Sequence, residues 1–458
     1  MTDYEINVIS VHILNINKLM KINQILKQVY KLDKESLKSY FQELDFINIV
    51  YCKELYKKNY FSKKEIDKIL KASLFLKSSK YRVLLKTSYK RGYYFEYENF
   101  LKKRIGQNIS GKIHIGRSRN DLEATISKLI LKKRIYAILQ KQLSLLYDIN
   151  KKFSSDTTLF PFYTQNQFAS FLTPKHYFNS NILSFVEYQK KILNDQNFIN
   201  ECPLGACGLS GSSINIDYKS ISKKLNFKTL QLNSHRSVSE YEYQLSLVND
   251  LNLFVLKWTR ILQDFQLLHN ENNKIIKFEK KFYGKSSFFP HKKNIFLIEY
   301  ALSISNKLCN YGSLIINSIK KSINSNSFEV KSTLKSINTY FNEYFEFINL
   351  ISYIIQNLSF NKIDIFHEKY ESLFYTYLQN YLIKTKKNLN FRNLNSKIFN
   401  QIDKNQSFQK ILSENQNNLP GFFWEKNIND IKKILISENQ NNLPGFFGKK
   451  TLMILKKF

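Results

Sequence analysis

Apolar residues recur at helical spacing over long stretches in which nothing breaks a helix. Between Leu122 and Lys152 there is neither glycine nor proline, and Leu131, Ile135, Ile138, Leu139, Leu145 and Leu146 fall on one helical face. Ser237 to Phe282 is likewise free of both residues. A run of that length exceeds an ordinary globular helix and predicts the long helices of a bundle. The whole chain of 458 residues holds only 6 Pro and 12 Gly, which favours an all-α fold and counts against a sandwich or barrel. Length alone suggests about three domains.

The formal charge of +33 raises the question of a nucleic-acid partner. Lys, Asn, Ile, Phe and Tyr are enriched together along the whole chain, and no compact basic block stands above that background. The charge therefore reads as compositional drift, with neither nucleic acid nor membrane expected as a partner. No uncharged apolar run reaches the roughly 18 residues of a membrane span, and no basic-then-apolar leader opens the chain. Cys52, Cys202, Cys207 and Cys309 are scattered and make a poor zinc signal. These features predict a soluble, cytoplasmic protein with free thiols.

Three segments carry chemistry. The first is Gly111-Lys-Ile-His-Ile-Gly-Arg-Ser-Arg-Asn-Asp121. Its two glycines permit a tight turn, and Arg117, Ser118, Arg119 and Asn120 supply donors suited to a dicarboxylate. The second, Cys202 to Asp217, holds three glycines among small residues and predicts a closely packed crossover between long helices. The third is Ser286-Ser-Phe-Phe-Pro-His-Lys-Lys-Asn294. A serine acts as a base near neutrality only where cations and backbone N–H groups stabilise its alkoxide.

In this order and spacing the segments resemble the argininosuccinate lyase family of the fumarase/aspartase superfamily. The resemblance covers roughly residues 90 to 310. It implies an all-α, fumarase/aspartase-like fold with a central bundle of long helices flanked by smaller N- and C-terminal helical domains. The corresponding division is 1–110, 111–350 and 351–458. It further implies reversible elimination of argininosuccinate to arginine and fumarate, a step of arginine biosynthesis, with no metal or organic cofactor. By motif matching, Ser286 is the base, Lys292 and Asn294 stabilise charge on the substrate, and Arg119 and Asn120 hold a carboxylate. Ser118 and Asp121 shape the same loop, while Thr164, Gln167 and Ser287 complete the substrate-binding set. The resemblance also implies a homotetramer whose active sites each gather the three segments from three subunits.

The chain departs from the family at several points. The family's Gly-Tyr-Thr-His-x-Gln reads Phe162-Tyr-Thr-Gln-Asn-Gln167, so Gln165 stands where an acid histidine belongs. Glutamine donates a hydrogen bond but does not titrate near neutrality. Loss of general acid catalysis costs about 100- to 10,000-fold, or roughly 3–5 kcal/mol of barrier. His176 reads as a structural helix residue, not a replacement acid. The family's Glu-Asp-x-His is Arg91-Gly-Tyr-Tyr94 here, its Ser-Asp-Arg-Asp-Phe is Ser239 to Tyr243, and the glycine before the serine pair is Lys285. A further substrate-recognition motif has no counterpart around Asn326 to Leu334. The expectation is thus a slow lyase, with a catalytically inactive homologue kept for a structural or binding role as the alternative. Ser413 to Phe423 recurs identically as Ser437 to Phe447, a local duplication to which no function is assigned.

Overall fold

The structure is a computed structural model. It describes residues 33–403 apart from 87–91, positions 271, 321 and 366, the pair 326–327 and much of 374–389. The tail duplication lies outside the described residues. The fold is all-α, built of long helices with, among the described residues, only short strands. In chain order come α1 (Lys34–Lys57), α2 (Lys63–Ser78), α3 (Tyr93–Ile105) and α4 (Arg119–Phe153). A hairpin, β1 (Phe160–Thr164) and β2 (Gln167–Leu172), leads to α5 (Pro174–Asn194). The crossover holds β3 (Glu201–Cys202), α6 (Tyr218–Lys224) and β4 (Thr229–Leu230) before α7 (Glu242–His269). Then follow β5 (Ile276–Lys277), β6 (Tyr283–Lys285), β7 (Lys293–Ile295), α8 (Phe296–Ile319), α9 (Phe328–Asn357) and β8 (Ser359–Phe360). Among the described residues, no helix is long and apolar enough to cross a membrane.

The chain forms two compact units. The first takes the described residues up to Gln140 with Tyr188–Val255 and Asn306–Glu346. There α1 buries Phe41, Leu44, Ile47, Tyr51 and Leu55 completely, the stripe expected of an amphipathic helix. Each such side chain stabilises the fold by about 1.5–3 kcal/mol. Asp45 lies inside this core, yet its carboxylate accepts hydroxyl hydrogen bonds from Ser73, Tyr81 and Tyr97 at 2.7, 3.2 and 2.8 Å. A buried carboxylate so satisfied fixes the arrangement of the helices around it. Ser62 and Glu65 cap α2 reciprocally. The long helices are joined the same way: Tyr340 of α9 donates to Asn252 of α7 at 3.0 Å.

The second unit takes Lys141–Glu187, Leu256–Ser305 and the described residues from Phe347 on. Phe185 of α5 stacks on the fully buried Trp258 of α7, ring centroids 5.3 Å apart. The β1–β2 hairpin rests on a small cluster of Leu159, Phe171, Ile365, Tyr370 and Leu373.

The Gly- and Pro-free run from Leu122 to Lys152 is one helix, as expected. The run from Ser237 to Phe282 is not. A short helix, Ser234–Ser239, gives way to extended backbone at Glu240 before α7 begins. The other end stops at His269, where Asn270 accepts a hydrogen bond from the Asn273 N–H at 2.9 Å and Lys274 turns with φ of +46°. Asparagine side chains compete for backbone hydrogen bonds and tolerate the left-handed turn that ends a helix.

Candidate active site

The segment from Gly111 to Asp121 ends at the first turn of α4, where Ser118 and Asp121 cap one another. Ser118 Oγ accepts from Asn120 N at 3.2 Å, and Asp121 Oδ1 accepts from Ser118 N at 3.0 Å. The second oxygen of Asp121 reaches across to the crossover, accepting from Gly205 N and Cys207 N, each at 3.0 Å. One fully buried carboxylate thus pins the first two segments together. Burial pushes its pKa up to about 6, against the opposing pull of these N–H donors and Arg117. With both oxygens engaged, Asp121 holds the loop. The crossover is as closely packed as expected: Gly205 has φ of +110°, and a Cβ there would meet the Tyr218 ring at 2.9 Å.

The loop backbone is clamped from two more sides. Tyr51 of α1 donates to the Ile115 carbonyl at 2.7 Å, and Tyr218 of α6 donates to the Gly116 carbonyl at 2.6 Å. Gly116 has φ of +73°, and a Cβ there would stand 2.9 Å from Ile216 and 3.2 Å from the Tyr51 hydroxyl. Gly111, expected to serve a similar turn, has an ordinary helical φ of −65° and open space around it. Arg117 also departs from expectation. It is 5% exposed, donates to Asn48 of α1, and lies over the Tyr51 ring at 4.5 Å. It anchors the loop inward. On the outer side stand exposed Arg119, whose guanidinium packs over Phe95 at 4.6 Å, and half-buried Ser118 and Asn120, the Asn120 amide also donating to the Gly208 carbonyl at 3.4 Å.

In the second unit, Thr164 and Gln167 pair across the hairpin, and Gln165 and Asn166 form its two-residue turn with φ of +51° and +60°. Positive φ at both positions is the signature of a type I′ turn. All four residues are exposed at the tip. Tyr163, one pair below the turn, tethers the tip of the hairpin by donating to Asn273 Oδ1 at 2.5 Å. His176 sits in the first turn of α5.

Ser286 begins the loop that joins β6 to β7, also in the second unit. Its Oγ accepts from Phe289 N at 2.9 Å and from Phe288 N at 3.4 Å. Two backbone N–H groups therefore already point at the oxygen on which an alkoxide would develop. Lys285 and Lys293 pair across the neck of the loop, and Lys292 is exposed beside it. Asn294 pairs with Gly284 in the strands, and Ser287 is exposed. Phe288 is 81% exposed. Among the described residues, no group of three His, Cys, Asp or Glu side chains is arranged to hold a metal ion.

Tyr51, Asn48 and Tyr218 escaped the sequence reading because they lie far along the chain from the loop they hold. Nothing in their local pattern separates them from core aromatics.

A model of the family described as "Lyase" matches residues 17–308, well over half of the chain. Argininosuccinate lyase of Clostridium kluyveri is 27% identical over 292 residues, 63% of this chain and 63% of its own length. That of Ehrlichia canis is 32% identical over 199 residues, covering 43% of this chain and 42% of its own length. The chain thus spans less than two thirds of these relatives. An EDDS lyase variant with bound fumarate superposes with a TM-score of 0.72 at 20% identity, covering 90% of this chain and 84% of its own. A fumarate lyase:delta crystallin from Brucella melitensis bound to cobalt gives 0.70 at 12% identity, covering 92% and 95%. The motifs, the all-α fold and the family match agree, and the chain belongs to the lyase family of the fumarase/aspartase superfamily.

Proposed function

We propose that the protein is an argininosuccinate lyase, cleaving argininosuccinate reversibly to arginine and fumarate. The observation that carries this reading is Ser286, whose Oγ already accepts two backbone N–H groups beside three lysines of its own hairpin. Ser286 removes the proton next to a substrate carboxylate. Lys292 and Asn294 stabilise the resulting aci-carboxylate, and Arg119 and Asn120 hold a carboxylate, with Thr164, Gln167 and Ser287 as further contacts. Gln165 occupies the acid's position, donating a hydrogen bond to the leaving guanidino nitrogen while water supplies the proton. Written this way, the reaction uses no metal or organic cofactor.

The same reading carries a cytoplasmic homotetramer, in which each site takes its segments from three subunits, and the division into 1–110, 111–350 and 351–458. A monomer of 54.5 kDa with full lyase activity would contradict the assembly.

Gln165 favours a second reading, an inactive homologue that still binds the dicarboxylate. The two are separated by offering the purified chain argininosuccinate, adenylosuccinate, malate and aspartate in turn. Fumarate from argininosuccinate alone supports the proposal. Fumarate from another substrate overturns the specificity, and binding of argininosuccinate without turnover selects the inactive homologue.

A further inference from the structure

His114 lies in the carboxylate loop but has no part in the chemistry above. It closes the short helical turn Gly111–His114, and its Nδ1 is 2.9 Å from the Tyr94 hydroxyl. Tyr94 is 6% exposed, and among the described residues its hydroxyl has no other hydrogen-bond partner. A buried hydroxyl donates its hydrogen wherever an acceptor is in reach, so Tyr94 donates and Nδ1 accepts. The ring hydrogen is thereby placed on Nε2, which has no partner among the described residues, and the ring is only half-buried. His114 and Arg119 are held in one cluster: Tyr94 contacts the His114 ring at 5.1 Å and the Phe95 ring at 5.9 Å, and Arg119 packs over Phe95. In this chain Tyr94 stands where the family's Glu-Asp-x-His has its histidine.

We propose that His114 is a further substrate-binding residue, locked by Tyr94 as the Nε2–H tautomer so that it donates a hydrogen bond to the carboxylate held by Arg119 and Asn120. This deepens the lyase reading and rests on it. Burial, with Arg117 and Arg119 nearby, pushes the imidazole pKa down to about 4. A neutral ring gives one donor of fixed direction, which suits a contact that must not add charge beside two arginines.

The test uses fumarate as the probe and exploits side-chain shape. Glutamine places its amide nitrogen near the position of Nε2, whereas asparagine places an oxygen near Nδ1, where it can still accept from Tyr94. His114→Gln should keep fumarate affinity within about threefold of wild type, and His114→Asn should weaken it about ten- to a hundredfold. The opposite ranking, with Asn tolerated and Gln damaging, would show that His114 serves only as Tyr94's partner and would overturn the proposal while leaving the lyase reading intact. Tyr94→Phe supplies a second handle should either variant fold poorly. It should weaken fumarate binding in the wild-type background and leave it unchanged in His114→Gln, whereas equal losses in both backgrounds would overturn the tautomer lock. Wild-type protein that binds no fumarate overturns both readings together.

Discussion

The carboxylate loop and the serine loop are built on opposite plans. From Gly111 to Asp121, backbone carbonyls and side chains are held by Tyr51, Tyr218, Asn48 and the crossover, with Asp121 fully buried at the centre. From Ser286 to Lys292 the contacts are local, the side chains largely exposed, and two phenylalanines face solvent. In the proposed lyase, the first loop is positioned to recognise charge without reorganising, and the second keeps few contacts that would oppose its closing over a substrate.

The sharpest way to break this contrast is to compare single substitutions in the two loops. Ser286→Ala should reduce turnover at least about 1,000-fold, equivalent to roughly 4 kcal/mol of barrier, and leave the melting temperature unchanged within error. Asp121→Asn should do the reverse in kind. It places an amide nitrogen against backbone donors and should destabilise the protein by about 2–4 kcal/mol in denaturant unfolding. A stable Asp121→Asn protein would mean the loop is held by something other than this carboxylate.

Gln165→His comes next in size and should raise kcat by at least about tenfold by restoring a titratable acid. The backbone favours it, since histidine tolerates the positive φ of this turn better than most residues do. No gain would mean that proton delivery to the leaving group does not limit the rate.

A smaller effect concerns pH. His114 has a folded pKa of about 4 against an ordinary 6.5. Below pH 6.5 the unfolded chain gains a proton that the folded chain refuses, so this group's stability contribution falls as pH drops from 6.5 to 4. Asp121 has a folded pKa of about 6 against 3.8. Its contribution has the opposite slope, falling as pH rises from 3.8 to 6. The two offset one another in the wild type. His114→Gln removes one side, so its stability relative to wild type should shift by about 1–3 kcal/mol between pH 4 and 6.5. Parallel pH profiles for the two proteins would show that His114 does not titrate differently on folding. The smallest effect is expected of Phe288→Ser, below about 0.5 kcal/mol in stability, because the side chain is exposed.

The sequence revealed the parts whose information is local. The α4 run, the positive-φ Gly116 and the serine–proline–lysine order are all short-range signals. The misplaced readings are long-range ones. Arg117 has the same composition signature as Arg119, and only the position of Asn48 and Tyr51 on α1 shows that it faces inward. The end of α7 was missed because asparagines, not glycine or proline, stop that helix. Gly111 invites the reading of a turn that its helical backbone does not make.

The most direct test of the account is a paired assay of wild type and Ser286→Ala, measuring fumarate release from argininosuccinate and, separately, fumarate binding. The account predicts that both proteins bind fumarate, through the intact carboxylate loop, and that only the wild type releases it from substrate. Equal turnover by Ser286→Ala would remove the serine from the chemistry, and no release by either would leave a binding protein where a lyase is proposed.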